Sequence, residues 1–138
     1  MLGEGGAPLT EFKAAARKFV ARSERGNVDL AEYRAVIDSL EGDFGSEARD
    51  AQKAGAHLVS GNVSAASWIA RTCKVSVTAA ADRLRVGEQL ESLPKVAGAL
   101  ASGEIGYQSV SVLAHLRDKL GAKTDLFDED EMLRYARE

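Results

Sequence analysis

Apolar residues recur along most of this chain at helical rather than alternating spacing. Phe12, Ala15, Ala16, Phe19 and Val20 fall at i, i+3, i+4, i+7 and i+8. This predicts an amphipathic helix capped by Thr10 and ended near Gly26. Its other face carries Lys13, Arg17, Arg22 and Arg25, a solvated face by its charge. Leu30, Tyr33, Ile37 and Leu40 form a second stripe that starts near Asp29 and is broken by Gly42 and Gly45. A weaker third helix follows Ser46 toward Leu58, punctuated by Gly55 and Gly61. Residues 1–8 are Gly-rich and predicted to be flexible, leaving 9–138 as one helical domain.

The second half is better marked. Ser64 caps a short helix holding Trp68, Ile69 and Ala70, the chain turns over Thr72–Val75, and Ser76 caps the next helix. That helix carries Val77, Ala80, Ala81, Leu84 and Leu90, with Gly87 allowing a neighbour close approach. Leu93-Pro94 resets the chain, and the helix from Lys95 to about Ala101 ends at Gly103. The next runs from Tyr107 to Leu120, with Val112, Leu113, Leu116 and Leu120 as its expected buried side and Gly121 just past its end. Asp128 and Glu131 have capping-box spacing, and Phe127 and Met132 sit where a hydrophobic staple belongs. A helix so well started and stopped at Glu138 reads as part of a longer polypeptide, a domain truncated at its C-terminus.

The predicted fold class is therefore all-α, a single orthogonal helical bundle with two helix-turn-helix-like corners. Composition agrees: of 138 residues, 45% are hydrophobic, 28% are charged and only two are proline. No apolar run is long enough to span a membrane, no secretory signal opens the chain, and a single cysteine fits a reducing cytoplasm. Charge is uneven. Residues 64–119 carry 7 basic and 5 acidic side chains, whereas the whole chain is at −3, without the strong basic excess of a dedicated non-specific DNA binder.

A helix-turn-helix needs a small residue where its helices meet and an apolar residue after the turn. Ala70, Val75 and Ala80 fill those places in the first unit. Cys73-Lys74 occupies the position that often holds glycine, so either Lys74 adopts a left-handed conformation at modest cost or the turn is built differently. Thr78, Ala79, Asp82 and Arg83 would lie toward a DNA groove, with Arg71 and Lys74 near phosphates. The second unit is built from Ala99 or Leu100, Gly103-Glu104-Ile105 and Val110. There Gln108 could read adenine, and Arg117 or Lys119 could touch phosphate. The candidate nucleic-acid set is Arg71, Lys74, Thr78, Arg83, Gln108 and Arg117, with double-stranded DNA as partner. Two tight corners of a bundle explain the same pattern without DNA.

Nothing in the chain assembles chemistry. His57 and His115 are the only histidines and have no Cys or carboxylate at metal-ligand spacing. Cys73 reads as a plain turn cysteine, although Arg71 and Lys74 are near in sequence. The run Asp125, Asp128, Glu129, Asp130, Glu131 lacks a calcium loop's central glycine and reads as a helix N-terminus. Trp68 belongs in a core. No catalytic residue, metal or cofactor is assigned.

The ordered set Ser64-x-x-x-Trp68-Ile69-Ala70, Val75-Ser76-x-x-x-Ala80, Leu90-x-x-Leu93-Pro94 and Ala99-Leu100-x-x-Gly103-Glu104-Ile105 resembles domain of unknown function 222. The resemblance covers roughly residues 30–138 and is clearest over 64–113. It implies a helical N-terminal domain of actinobacterial proteins that carry an HNH endonuclease module further on. Cys73-Lys74 and Gly106 depart from the pattern, which has a glycine-containing turn and a helix-capping serine there. With no HNH motif here, no nuclease residue carries over. The alternative function is a protein-interaction or homodimerisation module.

Overall fold

A computed structural model describes residues 6–138, and all its regular structure among them is helical. The elements are α1 (Gly6–Val20), α2 (Leu30–Lys53), α3 (Ala56–Val59), α4 (Ala65–Cys73), α5 (Val77–Leu90), α6 (Pro94–Ser102), α7 (Tyr107–Leu120) and α8 (Glu129–Arg137). A 3₁₀ turn, Gly121–Leu126, joins the last two. The fold is an all-α bundle.

The N-terminal half departs from the sequence expectation in three places. Helix α1 begins at Gly6, so Thr10 lies inside it and its hydroxyl donates back to the Gly6 carbonyl instead of capping. Of the stretch expected to be flexible, residues 6–8 are helical and residues 1–5 lie outside the described chain. Helix α2, capped by the Asp29 carboxylate, runs unbroken through Gly42 and Gly45 to Lys53. Its true end is followed by Gly55 in a left-handed conformation at φ 74°, so the predicted third helix shrinks to α3. Both interior glycines lower helix propensity by about 1 kcal/mol relative to alanine. They are tolerated because other helices fill the space. A Cβ on Gly42 would strike the Leu100 side chain, and one on Gly45 would lie 2.8 Å from the Arg83 carbonyl oxygen.

The later elements follow their local signals. Ser64, Ser76 and Asp128 each accept a hydrogen bond from the backbone N–H of the third residue of their helices. Lys74 adopts the left-handed conformation, φ 59° and ψ 45°, which lets the Val75 N–H reach the Ala70 carbonyl. Pro94 starts α6, and Gly103 at φ 84° ends it. Helix α7 follows Gly106, which has no side chain to cap with. The Asp38 carboxylate of α2 lies against that start, 3.0 Å from where a Gly106 Cβ would be, at the positive end of the helix dipole.

Two neighbouring apolar clusters form the core. The larger joins Val86 and Leu90 of α5 to Val96 and Leu100 of α6, Val110 and Leu113 of α7, and Leu133 of α8. The smaller groups Ala48, Ala65, Ile69, Ala80 and Leu84, with Trp68 partly buried against it. Val75 is 41% exposed and does not plug this core, contrary to the helix-turn-helix expectation; Ile69 and Ala80 close it. On α7 the buried side is Tyr107, Val110, Leu113 and Ala114, while Val112 and Leu116 face outward. The predicted stripe was misplaced because polar Ser111 and His115 take positions toward α5. Contacts from Glu41 to Arg83 and from Arg49 to Glu88 show α2 and α5 running parallel. Contacts from Asp82 to Tyr107 and from Arg85 to Asp118 show the same for α5 and α7.

Candidate nucleic-acid interface

The α4–α5 corner is open to solvent. Residues 71–78, Arg-Thr-Cys-Lys-Val-Ser-Val-Thr, are all exposed, carry two cations and contain no carboxylate. The left-handed Lys74 reverses the chain tightly, and the Ser76 cap starts a 14-residue helix directly behind it. Arg71 donates to the Asn62 side chain at 2.7 Å, which orients the guanidinium without neutralising it. Cys73 is a free, exposed thiol in the same turn. The corner thus presents Arg71, Lys74 and Thr78 together. A phosphate-rich backbone could contact those side chains and the first turn of α5.

The other candidates lie differently. Arg83 turns inward: its Nε donates to Glu41 at 3.0 Å, its Nη1 to Asp82 at 3.3 Å, and its guanidinium stands 4.9 Å from the Tyr107 ring centroid. Gln108 is exposed in the first turn of α7, near the level of Asp82. Arg117 donates to Gln89 Oε1 at 2.7 Å near the far end of α5, about 20 Å of helix from Lys74 at 1.5 Å per residue. The cations therefore do not form one continuous ridge.

Asp82, expected to face a DNA groove, turns instead into the α5–α7 seam. Its carboxylate accepts from the Tyr107 hydroxyl at 2.8 Å, from Ser111 and from His115 Nε2 at 2.9 Å. Arg85 Nη1 lies 3.2 Å from His115 Nδ1. A guanidinium can only donate, so Nδ1 accepts and the ring proton sits on Nε2. Burial pushes the Asp82 carboxyl up, but the bonds from Ser111, His115 and Tyr107 and the adjacent Arg83 outweigh it and hold it below its ordinary value. Burial, then the Asp82 bond, pushes the Tyr107 hydroxyl far up. The seam extends through Arg85–Asp118 at 3.1 Å and Arg117–Gln89.

Ser111, Asp82 and His115 meet here although their sequence spacing gave no such set. The order is wrong for nucleophile activation, which needs the imidazole between hydroxyl and carboxylate. Asp82 takes both bonds itself, so the cluster joins helices. Its signal was in the sequence as two complementary polar stripes: positions 82, 85 and 89 on α5, and 107, 111, 115 and 118 on α7. Among the described residues no group of three His, Cys, Asp or Glu side chains could hold a metal ion, and no helix is long and apolar enough to cross a membrane.

These features define a helical-bundle domain that offers surfaces and packed polar seams. Residues 10–136, nearly the whole chain, match the family described as Domain of unknown function (DUF222), and the chain belongs to that family. No curated protein and no solved structure matches it.

Proposed function

We propose that this chain is a non-catalytic helical domain that holds duplex DNA through its α4–α5 corner, beside an HNH-type nuclease module. The observation that carries this reading is the corner itself: eight consecutive exposed residues with Arg71, Lys74 and Thr78, and no carboxylate among them. The resemblance of residues 64–113 to domains that accompany HNH modules supports DNA as the partner. Gln108, exposed in the first turn of α7, serves as a second contact. Arg83 and Arg117 act inside the fold, through Glu41 and Gln89, and contribute little to phosphate binding.

Fluorescence anisotropy with a labelled duplex across a salt series tests the proposal. Each phosphate contact contributes about 0.9 to the slope of log affinity against log salt, so an Arg71→Ala, Lys74→Ala double variant should reduce the slope by about 2. The Arg117→Ala variant should leave it unchanged. No binding at low salt, or a slope insensitive to the double variant, overturns the reading.

Protein interaction is a second reading, favoured by a separate observation. Helix α1 has no buried residue in its 15 positions, and its apolar stripe stands open beside that of α2.

A further inference from the structure

We infer that the α1–α2 hairpin is a self-association surface on which a second copy of this chain docks, the two hairpins closing into an antiparallel four-helix bundle. The inference rests on the protein-interaction reading and names the partner.

The apolar positions have coiled-coil spacing on both helices. Leu9, Phe12, Ala16 and Phe19 are separated by three, four and three residues; Tyr33, Ile37, Leu40 and Phe44 by four, three and four. Phe19 meets Tyr33 edge-on at 5.2 Å between centroids. Grooves of about 560 and 880 Å³ run along the pair, the first past Phe19, Tyr33 and Val36, the second past Leu9, Leu40 and Phe44. Two helices cannot cover such seams alone. Leu9, Phe12, Phe19, Val20, Val36, Leu40 and Phe44 remain 38–58% exposed. At about 200 Å² for a large side chain in full exposure, these seven leave roughly 650 Å² of apolar surface. That exceeds the patch of about 300–600 Å² usual on a monomer, and with a polar rim it reaches the roughly 800 Å² per partner of a stable dimer.

Charge selects a second copy over other apolar partners. Residues 6–25 carry five basic and two acidic side chains, whereas residues 29–47 carry one basic and six acidic. Across a two-fold axis, the basic α1 of each copy would lie over the acidic α2 of the other. Such a patch is complementary to itself, as an isologous interface requires.

Sedimentation equilibrium from low-micromolar to millimolar concentration tests this, together with hydrogen exchange of α1 amides over the same range. The expected result is a reversible monomer–dimer equilibrium in which α1 exchange slows as concentration rises. Val20→Glu and Val36→Glu each place a charge at a position more than half exposed in the single chain, so each should leave the fold intact and abolish the dimer. A dimer that persists in both folded variants overturns the proposal. So does a monomer at every concentration. In that monomer, fast α1 exchange would leave the open face standing without this partner, and slow exchange would overturn the interaction reading as well. Should either variant unfold, the concentration dependence of α1 exchange in the unmodified chain decides alone.

Discussion

Alanine at position 87 should damage this protein, while the same substitution at position 98 should stabilise it. A Cβ on Gly87 would stand 2.2 Å from the Gly45 carbonyl oxygen, 2.7 Å from the Gly45 carbonyl carbon and 3.0 Å from Arg49 Cβ. The first two neighbours are backbone of α2, which cannot rotate aside. Relief requires the helices to part by about 1 Å, and overpacking of that kind costs about 1–3 kcal/mol or more. The separation would also strain the Glu41–Arg83 and Arg49–Glu88 bridges spanning the same pair. Alanine returns about 1 kcal/mol of helix propensity. Because the contact is with rigid backbone, we place the net loss near 2 kcal/mol, or about 6–12 °C in Tm for a domain of this size. Gly98 has nothing within 4 Å of its would-be Cβ and sits mid-helix in α6, so Gly98→Ala should gain about 0.5–1 kcal/mol. Urea unfolding followed by circular dichroism at several temperatures measures both. A Gly87→Ala variant as stable as the parent would refute the close approach of α2 and α5.

The left-handed Lys74 sits where glycine costs nothing, so Lys74→Gly should stabilise by about 1 kcal/mol while weakening any DNA affinity; a destabilised variant would contradict the turn geometry. Tyr107→Phe should cost about 1–2 kcal/mol by removing one bond to the Asp82 carboxylate, read from urea midpoints. The pH dependence has a definite sign. Asp82 has a lowered folded pKa, so its contribution is full above its ordinary unfolded value and is lost as pH falls through the folded one, below about 4. Asp82→Asn should flatten that acid limb of a stability–pH profile, and an unchanged limb would show that the seam does not hold a carboxylate.

What could be read from the sequence was what is decided locally. The caps at Ser64, Ser76 and Asp128 depend on residues within one helical turn and appear as expected, and of the two ways to build the turn at Lys74 the left-handed one is found. Gly42 and Gly45 were misread as helix breaks because the partners that explain them, Leu100 and the α5 backbone, lie some forty to sixty positions away. Separations of 25 to 33 positions hid the seam in the same way. Asp82 counts among the groove-facing positions until Tyr107, Ser111 and His115 arrive from α7. Arg83 looked free until Glu41 reached it. Of the candidate surface, Arg71, Lys74 and Thr78 were legible together because one turn carries them.

The Asp38 carboxylate has a consequence for how the chain can be shortened. It stands at the foot of α7, where Gly106 offers no side chain of its own, and Arg34 one turn earlier holds it through bonds of 3.0 and 2.9 Å. The middle of one helix thereby places a carboxylate beside the amino end of another sixty-eight residues later. Trimming the chain to the start of α2 spares that arrangement. Trimming past Arg34 loosens it, and trimming past Asp38 removes the charge beside the α7 dipole, so the minimal unit begins well before the corner it would carry.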